Sequence, residues 1–137
     1  MATLGPAREP TGSFVDESGT VRHAILHTGV FMHDLGTLGG DISQGRSINA
    51  SGQVTGSSFT PGGSQHAFFY DGVTMIDLGT LGGAKSFGSS INADGFIVGT
   101  SDIDDTALTH ASLFDGTIRL DLDDLLTGLP PRVTVEL

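Results

Sequence analysis

Short runs in which apolar and polar residues alternate recur along this chain, and Gly, Asp or Asn interrupts each of them. His66-Ala67-Phe68-Phe69-Tyr70 is followed, across Asp71-Gly72, by Val73-Thr74-Met75-Ile76-Asp77-Leu78. A period of two predicts strands, and no long stretch keeps the helical spacing. Asp71-Gly72 between two such runs predicts a type I′ hairpin with a two-residue turn. Asn92-Ala93-Asp94-Gly95 predicts a second hairpin, built on a type I turn with a left-handed Gly and opened by the Asn side chain. Four short strands follow, near 66–70, 73–78, 87–92 and 96–101.

The same pattern stands elsewhere in the chain. His23-Ala24-Ile25-Leu26-His27 and Asp34-Leu35-Gly36-Thr37-Leu38-Gly39-Gly40 match His66-Ala67-Phe68-Phe69-Tyr70 and Asp77-Leu78-Gly79-Thr80-Leu81-Gly82-Gly83, and His110-Ala111-Ser112-Leu113-Phe114 opens a third copy. Ser47-Ile48-Asn49-Ala50-Ser51-Gly52 likewise matches Ser90-Ile91-Asn92-Ala93-Asp94-Gly95. The motif restarts at His23, His66 and His110, a period of 43 to 44 residues. Copies lie near 23–65, 66–109 and 110–126, with a partial copy at 13–22. This organisation predicts a single repeat-built β domain over 13–137 behind a flexible segment, 1–12, with an alternating terminal strand at 132–136.

A two-residue turn at Asp71-Gly72 sets Tyr70 opposite Val73, Phe68 opposite Met75 and His66 opposite Asp77. Alternation then puts Ala67, Phe69, Thr74, Ile76 and Leu78 on one mostly apolar face, the expected core. The more mixed face, with His66, Phe68, Tyr70, Val73, Met75 and Asp77, is expected on a neighbouring copy or in solvent. The fold class that follows is all-β, with tandem units of about 44 residues, each of four short antiparallel strands resembling a propeller blade. Closed propellers take roughly four to eight blades, and this chain has strands for about three. An incomplete ring, closure by self-association, or a β-trefoil-like pseudo-threefold domain are the ways such units can close.

Composition narrows the function classes. Gly is 21 of 137 residues, about twice the usual share of roughly 7%, which disfavours helix. There is no Cys, so disulfides and thiolate metal sites are excluded. Sixteen Asp+Glu against six Lys+Arg give a net charge of −10, which argues against a nucleic-acid partner. No apolar run approaches the length of a membrane-spanning helix. Residues 1–6 carry neither the basic segment nor the apolar core of a signal peptide, which leaves a trimmed mature form or a chain kept inside the cell.

Three constellations have chemical content. His23, His66 and His110 are each set against a carboxylate, on Asp34, Asp77 and Asp121. A His held by an Asp is a general-base arrangement, but its threefold recurrence without a matching Ser nucleophile favours structural cross-strand pairs, and no catalytic residue is assigned. Gly79-Thr80-Leu81-Gly82-Gly83-Ala84-Lys85-Ser86 approaches a phosphate-binding loop, but Ala84 replaces the needed Gly and no helix is predicted after it. Asp102, Asp104 and Asp105 form one acidic cluster, and Asp121, Asp123 and Asp124 another. Spaced carboxylates suit Ca²⁺, yet neither cluster follows a calcium-loop pattern, so solvated loops are expected, with no metal and no cofactor. His27 takes the place of Tyr70, and Asn49-Ala50-Ser51 fits a glycosylation pattern of little weight.

The His-Ala-Phe start, Asp-Leu-Gly-Thr-Leu-Gly-Gly and Ile-Asn-Ala-x-Gly together resemble the bacterial HAF repeat family over residues 14 to 126. The resemblance implies a secreted or surface-exposed bacterial protein, and it carries no active site, because the family has no established activity. The third copy departs from it, with Asp123-Asp124-Leu125-Leu126-Thr127 where Gly-Thr-Leu-Gly-Gly would stand. Two function classes follow. One is a non-catalytic binding or structural module whose partner is a glycan or a protein. The other is a hydrolase-like enzyme using a His–Asp pair.

Overall fold

Turns rich in Gly, Asn and Asp divide the chain into strands of three to six residues. The computed structural model describes residues 11–15, 22–27, 32–106, 108–115 and 118–123. A first sheet holds β1 (Thr11–Val15), β2 (Arg22–His27) and β3 (Met32–Asp34). A second holds β4 (Ser43–Ile48), β5 (Val54–Phe59), β6 (Gln65–Tyr70) and β7 (Met75–Gly79), and a third holds β8 (Ser86–Ile91), β9 (Ile97–Asp102), β10 (Thr109–Phe114) and β11 (Arg119–Asp121). Each is an antiparallel meander in which consecutive strands are neighbours. The chain is thus all-β and built from blade-like units, and no sheet closes on itself into a barrel. Expectations for residues 1–10, for the alternating segment at 132–136 and for Asp124 lie outside the described residues. β1 begins at Thr11, inside the segment expected to be flexible.

The sheets are phased half a period away from the sequence copies. Strands β6 and β7 belong to the second sheet, whereas β8 and β9, in the same copy, pair with β10 and β11. The physical divider is the Gly-Thr-Leu-Gly-Gly connector after β7, which leaves one sheet and starts the next. The Asn turns instead join strands within a sheet. Gly52 N donates to Asn49 O at 3.1 Å and Gly95 N to Asn92 O at 3.0 Å, and both glycines take left-handed φ, 78° and 86°. The Asn92 side chain accepts from the amides of Asp94 and Phe96, as the sequence predicts for this turn.

The first hairpin differs in register from the expectation. It closes over four residues, 71–74, with Asp71 N donating to Thr74 O at 3.2 Å. Asp71 Oδ1 accepts from the amides of Val73 and Thr74 at 2.8 and 2.9 Å, so the side chain caps a wider turn. Tyr70 therefore faces Met75 and Phe68 faces Asp77, with a bulge between Ala67 and Phe68. The shift is by two positions, which keeps every side chain on its expected face.

The core is doubled because the sheets stack. Phe68, Ile48 and Val54 of the second sheet pack on Ala24, Leu26 and Leu35 of the first. Ala67 and Leu78, on the opposite face, pack with Ile91, Ile97 and Phe114 of the third sheet. The mixed face, expected on a neighbouring copy or in solvent, packs on the first sheet at Phe68, which is fully buried, while Ile76 of the face expected to be core is 41% exposed. A middle sheet with neighbours on both faces buries apolar residues on both. The equivalent outer face of the third sheet, at Val98, is 44% exposed.

Candidate functional site

The three His–Asp pairs form as sequence spacing suggests, across the diagonal of each hairpin. His23 Nδ1 lies 2.8 Å from Asp34 Oδ1, His66 Nδ1 2.9 Å from Asp77 Oδ1, and His110 Nδ1 2.7 Å from Asp121 Oδ2. A carboxylate only accepts, so Nδ1–H is the donor in each. Every one of these carboxylates has a second task. Asp34 Oδ1 accepts from Gly36 N at 2.8 Å, Asp77 Oδ1 from Gly79 N at 2.7 Å, and Asp121 Oδ1 from Asp123 N at 2.9 Å. The Asp thus turns the chain out of the strand while the His braces it. The third pair differs in one respect, because Asp123 Oδ2 stands 3.7 Å from His110 Nε2.

The connector that resembles a phosphate loop is built into the joint between sheets. Thr80 Oγ1 donates to Gly83 O and accepts from Gly82 N, and Leu81 N donates to Ser101 Oγ at 2.7 Å. Ser86, at the position a phosphate loop would use, is fully buried. Its Oγ accepts from Ala67 N at 2.8 Å and donates to Gly79 O at 2.5 Å. β8 follows directly in place of a helix. The earlier copy repeats the joint through Thr37, Ser43 and Ser58. Asn49, the glycosylation candidate, is 5% exposed, and its Nδ2 donates to Asn92 O at 2.9 Å across the sheets.

Among the described residues the acidic clusters form no group that could hold a metal ion. Asp102 is buried and accepts from Thr109 Oγ1 at 3.0 Å. Asp104 accepts from the Thr106 hydroxyl and amide. Those two bonds, the hydroxyl's first, hold the Asp104 carboxyl below the usual carboxylate range. The amides of Thr74 and then Val73 do the same for Asp71. Asp105 is exposed beside them, and Asp123 Oδ2 lies 3.7 Å from His110 Nε2. Among the described residues no three His, Asp or Glu side chains are grouped so as to hold a metal ion, and no helix is long and apolar enough to cross a membrane.

No protein-family model, curated protein or solved structure matches this chain. Its chemistry is therefore read from its own residues. Two groups escaped the reading of the sequence. The first is the set of buried serines, Ser43, Ser58, Ser86 and Ser101, whose recurrence at the repeat period was the available signal. The second is a cleft of about 350 Å³ between the second and third sheets, lined by Arg46, Ser57, Phe87, Gly88 and Ser89. Nothing in a linear reading brings β4 and β8 together.

Proposed function

We propose that this chain is a non-catalytic, repeat-built binding or structural module of the HAF repeat type, working at the bacterial surface or after secretion. The observation that carries the reading is the double task of each carboxylate, which takes both the His Nδ1–H and the amide two residues on. A nucleophilic site needs a base within hydrogen-bond reach of its nucleophile, whereas the contacts of His66 among the described residues are those to Asp77. Repetition supports the same reading, since three equivalent devices serve three equivalent strand ends. The resemblance in the His-Ala-Phe and Asp-Leu-Gly-Thr-Leu-Gly-Gly motifs supports the localisation.

A glycan-array screen run beside an esterase and glycosidase panel tests it. Binding without turnover is the expected result. A His66→Ala protein that stays fully folded but loses a measured hydrolytic activity would place the chain with hydrolase-like enzymes using a His–Asp pair.

A further inference from the structure

We propose that the cleft between the second and third sheets binds a carboxylate-bearing sugar, a hexuronate, through Arg46. Two β-bulges create the site. In β4 the pairing jumps from Gly45↔Gly56 to Ser47↔Thr55, which leaves Arg46 as the extra residue. In β8 it jumps from Gly88↔Gly99 to Ser90↔Val98, which leaves Ser89 as the extra residue. A bulge re-aims the side chain it carries, and both of these line one cleft. β8 lies this close to β5 of the second sheet because of Gly88, where a Cβ would stand 2.1 Å from Thr55 Oγ1.

The lining has the parts that an acidic sugar needs. Arg46 is exposed, and no ion pair or hydrogen bond among the described residues engages its guanidinium. That fork of donors matches a carboxylate in a bidentate pair. Phe87 supplies an apolar surface for the C–H face of a ring. Ser57 Oγ accepts from Gln65 Nε2 at 3.0 Å, so its own hydrogen is left to donate to a sugar hydroxyl, and Ser89 adds a second hydroxyl. The cleft volume, about 350 Å³, falls at the small end of the roughly 300–1,000 Å³ of ligand sites, which suits one or two sugar units. One guanidinium in a chain of net charge −10 favours the single charge of a carboxylate over a phosphate dianion.

The internal repeat adds an independent point. Apart from Gly88, which matches Gly45, the cleft residues sit where the copies differ, with Gln44 at the position of Phe87, Arg46 at that of Ser89, and Ser57 at that of Thr100. Residues shared by the copies hold the frame, so differences mark positions free to select a ligand.

The proposal rests on the binding-module reading, and the experiment separates the two. Di- and trisaccharides of galacturonate, glucuronate and mannuronate are titrated into the intact chain by calorimetry, together with their methyl esters and an oligoglutamate peptide. Binding is expected for at least one free acid and not for its ester. Arg46→Gln should weaken it by about tenfold or more, and Arg46→Lys by several-fold, because the ammonium lacks the fork. Arg22→Gln and Lys85→Gln, which remove exposed charges outside the cleft, should leave it unchanged, and a thermal melt confirms that each variant is folded. Absence of binding to every uronate at millimolar concentration overturns the cleft assignment. So does binding that survives Arg46→Gln, or equal binding of the peptide. Cleavage of a probe would instead overturn the non-catalytic reading.

Discussion

Ser86 and Ser112 are both fully buried, and substitution to Ala should act in opposite directions at the two sites. The Ser86 hydroxyl joins Ala67 N to Gly79 O across the joint between sheets. Ser86→Ala leaves an amide and a carbonyl without that partner. An unsatisfied buried polar group costs about 1–3 kcal/mol. Ala67 is fully buried and bears the whole cost, whereas Gly79 is only partly buried, and water recovers some of its share. The expected loss is about 2–4 kcal/mol. Ser112 occupies the repeat position of Phe68, and its Oγ is buried with no hydrogen-bond partner among the described residues. Deleting that oxygen relieves a desolvated hydroxyl and removes only one atom's contacts, so a gain of about 0–1 kcal/mol is expected. Urea unfolding followed by circular dichroism measures both. With a slope of about 1–3 kcal/mol per molar urea, Ser86→Ala should lower the midpoint by about 1 M or more. Ser112→Ala should leave or raise it. Ser43→Ala should behave as Ser86→Ala does, because Ser43 bridges Ala24 N and Gly36 O in the same way. Equal losses at positions 86 and 112, or a neutral Ser86→Ala, would refute the assignment of the joint.

In a double-mutant cycle on His66 and Asp77, coupling should stay below about 1 kcal/mol, since side-chain exposures of 21% and 44% leave the pair to solvent screening. Asp77→Ala should cost more than His66→Ala, because only Asp77 also holds the Gly79 amide; the reverse order of midpoints would contradict this. The lowered carboxyls of Asp71 and Asp104 bind fewer protons folded than unfolded, so their stabilisation is complete above the ordinary carboxylate range and is lost as pH falls through their lowered folded pKa values. Asp71→Asn should therefore flatten the fall in unfolding midpoint on going from mildly acidic to strongly acidic buffer, and an unchanged slope would count against the capping role. Gly99→Ala should disrupt β8–β9 pairing, as its Cβ would fall 1.9 Å from Phe87 O, costing about 1–3 kcal/mol or more. Gly62→Ala, with no neighbour nearer than 3.9 Å, should melt close to the parent.

Local chemistry was legible in the sequence wherever it depended on short spacing. The Asn92 to Gly95 turn needs only an Asn that bonds the next amides and a Gly free to turn left. The His66–Asp77 pair survives a register shift because a shift of two keeps both on one face. The register itself was not legible. Asp71 suits either a two-residue turn or a four-residue one, and its bonds to Val73 and Thr74 decide for the wider. The phase of the sheets was hidden for a related reason. A repeat has no beginning, so either hairpin of a copy is an equally good start, and only the connector network selects. Whether a neighbouring copy or solvent covers the face of Phe68 was left open, because alternation reports two faces but not how many neighbours a sheet has.

The two copies also separate frame from site in a way a single blade could not. Ser43 and Ser86, Thr37 and Thr80, Ser58 and Ser101, and Asn49 and Asn92 are identical between copies, and each pair bonds the backbone at equivalent places. These positions carry the stacking, so a change there is felt throughout the joint. Arg46 and Ser89 stand outside the ladder hydrogen bonds of their own strands, at bulges. Substitution at a bulge alters what the cleft displays without breaking the pairing on either side of it. On the proposed binding reading, a repeat built this way can change its ligand while its sheets stay stacked. Ser86→Ala should thus lower stability without abolishing recognition in the molecules that remain folded, and Arg46→Gln should weaken uronate binding by about tenfold or more at an unchanged melting temperature.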